Sequence, residues 1–189
     1  MTWVAPPGPP PLPVSTPPWR IRAVENHGRD LDRLVRWMHA AHVEAYWHHA
    51  WPAQQWAAAL DRQRTGDHSL PCVAETYDEP VAYLELYRVC RDRIHGLYPD
   101  DQHDLGVHIA IGDTGHTGRG LGRSLLRAVA DGLLAADPAC RRVVAEPDVR
   151  NEPSLRAFTA AGFRRCGEIE LPEKTAALLV RPRTEEDLP

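Results

Sequence analysis

Apolar positions along the chain switch repeatedly between a period of two and a period of 3.6, and the switches mark out a sequence of strands and helices. The stretch WRIRAV from Trp19 alternates like a strand. In DLDRLVRWMH, residues 30–39, Leu31, Leu34, Val35 and Met38 fall on one helical stripe, with Asp30 as its cap. A second helical stretch runs from Pro52 to about Arg64. LPCVAET and PVAYLELYRV then alternate as two strands joined by a turn over Tyr77 to Pro80, and the polar, aperiodic run from Cys90 to Gln102 predicts a loop. The strand LGVHIAI puts Leu105, Val107, Ile109 and Ile111 on one face and Gly106, His108 and Ala110 on the other. A helix from Gly120 to about Ala136 presents Leu121, Leu125, Val129 and Leu133 on one stripe. The strand RRVVAEP, a helix opened by Asn151 and closed at Gly162, and the strands RRCGEIEL and KTAALLV follow. The predicted order, β-α-α-β-β-β-α-β-α-β-β, defines a mixed-sheet α/β domain.

Composition narrows the setting. With 189 residues the chain is long enough for one domain with a substantial core. A net charge of −4 without a basic block argues against nucleic acid as a partner. No apolar run approaches the roughly 18 residues of a membrane span, and the N-terminus has neither the basic start nor the apolar core of a signal peptide. Cys72, Cys90, Cys140 and Cys166 are far apart and form no C-x-x-C, so the expected location is the cytoplasm and no disulfide framework is expected. His39 and His42, at i and i+3, have no acidic or thiol ligand at useful spacing, so no metal is expected. Eight of the first 18 residues are proline, which predicts a loose polyproline tail over 1–18 before a domain over 19–181 and a short tail over 182–189.

The densest chemistry lies in LGVHIAIGDTGHTGRGLGRSLL. A strand runs into a glycine-rich loop, and the loop runs into a helix, which is the arrangement that seats a phosphate on unpaired helix N–H groups. The loop HTGRGLG lacks the Gly-Lys-Ser/Thr of a P-loop, and no acidic strand end follows at the spacing of a dinucleotide fold. It resembles the pyrophosphate loop of the GCN5-related (GNAT) acyl-CoA N-acyltransferases, whose Arg/Gln-x-x-Gly-x-Gly/Ala pattern falls on Thr117, Gly120 and Gly122, with Thr117 a departure. The downstream order extends the likeness over residues 19–181: a strand, Asn151 opening a helix, then F-x-x-x-G-F at Phe158 to Phe163. The resemblance implies a mostly antiparallel mixed sheet that splays between two parallel strands, flanked by about four helices. It also implies acetyl-CoA or another acyl-CoA as co-substrate, and a small-molecule amine that attacks the thioester directly. Main-chain N–H groups from Ile109 to Ile111 would polarise the carbonyl. Backbone amides from Arg119 through Gly120 and Leu121 to Gly122 would hold the pyrophosphate, with Thr117 and Gly118 in the same cofactor loop and Arg119 and Arg123 adding charge near the phosphates. Asn151 and Ser154 would place the pantetheine arm or the thiolate.

Within that superfamily, D-x-G-x-H in HDLGVH and E-P-D-x-x-N in EPDVRN resemble the siderophore-pathway acyltransferases, which acylate the side-chain amine or hydroxylamine of lysine, ornithine or cadaverine derivatives. The tryptophan-rich AYWHHAWP, the strand motif of Tyr83, Leu84, Glu85 and Tyr87, and Lys174 before an apolar strand match the same group. By this likeness His108 and Asp148 are the catalytic pair, His108 being the general base or the N–OH anchor and Asp148 its partner. Trp47, His48, Glu85 and Tyr87 are the substrate contacts. A lysine amine must shed a proton before attack, at roughly 4–5 kcal/mol at pH 7, whereas an N-hydroxylated amine arrives largely neutral. Two alternatives stay open: an aminoglycoside 6′-N-acetyltransferase or polyamine acetyltransferase, and a non-catalytic acyl-CoA-binding regulator. Monomer and homodimer are both compatible with the sequence.

Overall fold

The structure, a computed structural model, describes residues 7–113, 115 and 120–189. Seven strands form one sheet: β1 (Trp19–Ala23), β2 (Ser69–Thr76), β3 (Glu79–Arg88), β4 (Leu105–Ile111), β5 (Arg142–Ala145), β6 (Arg164–Leu171) and β7 (Lys174–Pro182). Five α-helices join them: α1 (Gly28–Met38), α2 (Ala41–Trp47), α3 (Ala53–Thr65), α4 (Leu121–Ala136) and α5 (Glu152–Ala160). The strand order is β1-β2-β3-β4-β5-β7-β6, antiparallel throughout except between β4 and β5.

Side-chain alternation divides the core between the two faces of the sheet. Cys72, Ala74, Leu84, Leu86, Leu105 and Val107 pack with Leu125, Val129, Leu133 and Phe158 beneath α4 and α5. Val73, Tyr83 and Ala110 point the other way and meet Leu34, Trp37, Met38, Trp56 and Leu60 of α1 and α3. A third group, around Tyr87, Ile94, Val144, Ile169 and Val180, closes the β5–β7 end.

Three expectations are corrected. Asp30 lies inside α1 and does not cap it: its carboxylate takes both guanidinium nitrogens of Arg22, at 2.5 and 2.9 Å, and the Glu25 N–H at 3.0 Å. The extra helix, α2, has no side-chain cap and buries only Val43. Tertiary bonds hold it instead, from His42 Nε2–H to the Ile111 carbonyl (2.9 Å) and from Trp47 Nε1–H to the Ile109 carbonyl (3.3 Å). Nothing in the local pattern of so short a segment predicts a helix.

The third correction concerns the proline segment. Of the tail expected over 1–18, residues 1–6 lie outside the described residues, and the segment from Pro7 is docked, with Pro7, Pro10 and Pro13 buried. Val14 N–H bonds the Gly132 carbonyl at 3.0 Å, and Arg88 and Arg91 donate to the Gly8 and Pro7 carbonyls. Proline cannot donate in a ladder, but its carbonyls still accept, and here two arginines supply the donors. Gly132 permits the approach, because a Cβ there would lie 2.5 Å from the Val14 oxygen and 2.9 Å from Pro13. Gly132→Leu is expected to lever the segment off α4 and destabilise the fold by about 1–3 kcal/mol. Thermal unfolding checks this, and an unchanged melting temperature would contradict the docking.

Candidate active site

The site follows from a place where the sheet stops pairing. β4 and β5 match only at Leu105 with Val143 and Gly106 with Val144, then separate. Gly112 N–H bonds the Val81 carbonyl, so the even-numbered main chain of β4 faces β3. Ile109 and Ile111 therefore turn their main-chain groups toward the gap, where Trp47 and His42 meet their carbonyls. Across the gap lies the start of α4. Gly120 precedes it at φ +77°, a left-handed conformation suited to glycine, and no side chain caps its first turn among the described residues. Leu121 packs on the core, Gly122 lies so close to β4 that a Cβ would sit 3.2 Å from Ile111 Cδ1, and Arg123 is exposed. A β4 edge left without a strand partner, beside helix N–H groups that no side chain caps among the described residues, fits a long ligand with an anionic diphosphate. Thr117, Gly118 and Arg119 lie outside the described residues. Asn151 Oδ1 accepts the Ser154 N–H at 3.2 Å and caps α5, and both residues line the cleft.

At the floor of the gap, two residues past the last β4–β5 pair, His108 spans three strands. Its Nε2 meets Glu146, just beyond β5, at 2.5 Å, and its Nδ1 meets Glu85 of β3 at 3.5 Å. Each carboxylate is further held. Tyr87 donates to Glu146 at 2.6 Å, while Tyr83 and Gln63 donate to Glu85 at 2.9 and 3.1 Å. Lys174 Nζ donates to the Glu146 carbonyl at 2.6 Å. Burial alone would lower the His108 pKa, but the two carboxylates outweigh it and push the imidazole up to about 10. Burial likewise favours a protonated Glu146, yet the His108 charge wins and holds it down at about 2. Glu85 is lowered for the same reason. At neutral pH the array is carboxylate, imidazolium, carboxylate.

This geometry changes the pairing expected for His108. Its partners are Glu146 and Glu85, not Asp148. Asp148 is bound by Arg150, whose guanidinium donates at 2.6 to 3.2 Å, and this ion pair keeps the carboxyl below its ordinary range. Both His108 and Asp148 nevertheless line one cleft of about 500 Å³, together with Trp47, His48 and Glu85. Tyr87 does not line it. Its ring covers Gly106, where a Cβ would sit 2.0 Å from the ring, and the side chain acts through Glu146. Glu146 escaped the sequence reading although it stands in the EPD motif, because only the splay brings it to His108.

Comparison with known proteins agrees with this architecture. Residues 26–171 match the Acetyltransferase (GNAT) domain family. Lysine N-acyltransferase MbtK of Mycobacterium sp. (strain MCS) is 36% identical over 180 residues, covering 95% of this chain and 73% of that protein. The N(6)-hydroxylysine O-acetyltransferase of Escherichia coli is 32% identical over 154 residues, 82% of this chain but 49% of that protein. An uncharacterized protein from Bacillus halodurans superposes with a TM-score of 0.84 at 31% identity, covering 91% of both chains. The chain belongs to the GNAT acetyltransferase family. It is an acyl-CoA N-acyltransferase. No helix among the described residues is long and apolar enough to cross a membrane.

The bridge makes stability depend on pH in a defined direction. His108, raised from 6.5 to about 10, contributes fully below pH 6.5, and that contribution is lost as the pH rises through 10. Glu146, lowered from 4.5 to about 2, contributes fully above pH 4.5 and loses that contribution as the pH falls through 2. His108→Gln leaves the buried Glu146 and the half-buried Glu85 without their counter-ion and is expected to cost roughly 3–5 kcal/mol at neutral pH. In denaturant unfolding, the gap between wild type and variant should narrow from about pH 6.5 toward pH 10, the window in which the unfolded chain has lost the proton that folded wild type still holds. A gap independent of pH would contradict the assignment.

Proposed function

We propose that this enzyme acylates the side-chain nitrogen of a lysine-type acceptor in its N-hydroxylated form, the transfer that builds a hydroxamate siderophore. The observation that carries this is the place of His108 between the Glu146 and Glu85 carboxylates, which favours its charged form. An imidazolium between two carboxylates has no lone pair with which to take a proton from an ammonium group. The acceptor must then arrive with a free electron pair. An N-hydroxylated amine does so near pH 7, whereas a lysine ammonium requires about 4–5 kcal/mol. The names of the two curated relatives point to the same acceptor class.

The division of labour follows from the bonds already made. His108 Nδ1–H, held only at 3.5 Å by Glu85, is free to turn to the acceptor N–OH oxygen as an anchor, while Nε2 stays on Glu146. Asp148, ionised beside Arg150, accepts the hydrogen bond of the reacting nitrogen and keeps its lone pair turned to the acyl donor. Trp47 and His48 wall the same cleft. Bound acyl-CoA supplies the activated acyl group. Ile109, Ile111, Gly120, Leu121, Gly122, Arg123, Asn151 and Ser154 are the described residues that would hold it, with Thr117, Gly118 and Arg119 completing the loop.

Release of thiol from acetyl-CoA and longer acyl-CoAs should be fastest with N6-hydroxylysine, slow with lysine and absent with kanamycin. Asp148→Asn is expected to lower kcat by about 10²-fold or more while the protein stays folded. Turnover of kanamycin alone, or an unaffected Asp148→Asn enzyme, would contradict the proposal.

A further inference from the structure

Beside the cleft lies a second chamber of about 320 Å³, walled by α3, the start of β2 and the segment after α2. His49, His68 and Glu85 line both spaces, so the chamber continues from the acceptor cleft on the far side of Glu85. Its wall is chemically unusual. Five buried side-chain polar atoms have no hydrogen-bond partner among the described residues, and three of them, His49 Nδ1, Gln63 Oε1 and Ser69 Oγ, belong to residues lining this chamber. Ser69 is only 4% exposed. Leaving such groups unsatisfied is costly, and natural interiors rarely do so without a ligand or water to complete them.

The unsatisfied groups share a character. Gln63 already donates its amide N–H to Glu85, so its free atom is a carbonyl acceptor. Ser69 Oγ accepts as well as donates. Burial lowers the His49 pKa, so its ring is neutral at pH 7 and offers a lone pair. Together with the Glu85 carboxylate they form a set of acceptors in the chamber's wall, beside Trp51 and Trp56. A group with several N–H donors and a positive charge matches that set, and an alkyl chain does not. Arg62, in the last turn of α3, also lines the chamber, is exposed, and has no carboxylate partner among the described residues. It is therefore available to an anion.

We propose that this chamber takes the α-amino-acid end of the acceptor, its ammonium among Glu85, Gln63, Ser69 and His49 and its carboxylate on Arg62. The enzyme thereby selects an amino acid over a diamine of the same length. The assignment rests on the acyl-transfer reading above and adds which lysine-type acceptor is taken. Lysine and cadaverine differ only by that carboxylate, and the sequence alone singles out no partner for it.

Isothermal titration calorimetry of the full chain with coenzyme A present tests this, with L-lysine and cadaverine as probes. Lysine should bind about tenfold or more tightly than cadaverine, the range expected of one charge-assisted pair. Arg62→Ala, at an exposed position, should erase that preference by weakening lysine about tenfold and leaving cadaverine unchanged. Gln63→Leu should weaken both. Equal binding of the two probes, absence of lysine binding, or equal loss of both in Arg62→Ala would overturn the proposal. The two readings separate cleanly. If lysine binds with this pattern but no acceptor is acylated, the chamber stands and the acyl-transfer reading falls. If N6-hydroxylysine is acylated yet Arg62→Ala changes neither its KM nor lysine binding, the chamber assignment falls alone.

Discussion

One imidazolium, held between buried Glu146 and half-buried Glu85 where the sheet divides, organises one wall of the cleft. Strands β4 and β5 share two residue pairs and then part, and the first link across the opening is from His108 to Glu146. A buried ion pair is expensive to desolvate and stabilises only when its remaining bonding capacity is filled. Here it is filled. Tyr87 completes one carboxylate, and Tyr83 and Gln63 complete the other, while Lys174 ties down the main chain beside Glu146. The bridge thus fixes the width of the opening and the charge within it at once.

Around that fixed point the two substrates are served by different parts of the fold. In the proposed reading the donor side is backbone: the edge of β4 that β5 leaves and the start of α4, which no side chain caps among the described residues, brought close by Gly122. The acceptor side is side chains, from β3, β4, the end of β5 and the aromatic segment that α2 delivers. Helix α2 links the two sides, because Trp47 and His42 bond the carbonyls of Ile109 and Ile111 on the same edge that would receive the acyl donor.

The elements with strong local signals were legible in the sequence. The alternation in LGVHIAI, the glycine approach to α4 and the Asn151 cap all carry their own physical reason, and all have counterparts in the structure. His108 stood out for the same reason, as the lone titratable residue on an apolar strand. What sequence could not supply was who faces it. Asp148 and Glu146 lie two residues apart in one motif, and which of them reaches His108 depends on how far β5 runs before it diverges. Helix α2 and the docked proline segment were missed because tertiary bonds define both, one through a histidine and a tryptophan and the other through Arg88 and Arg91. Glu85 was singled out as a substrate contact, but its place between His108 and a second chamber is visible only in three dimensions.

The proton that His108 carries decides which form of the acceptor the site can use. Nitrogen-detected NMR of the histidine rings, with His108→Gln to assign the signal, reads that proton directly through a pH titration. The structure predicts an imidazolium with both nitrogens protonated at neutral pH, which titrates only near pH 10. A His108 ring that loses its proton near the ordinary histidine value of 6.5 would contradict the bridge, and with it the argument that the acceptor must arrive already neutral.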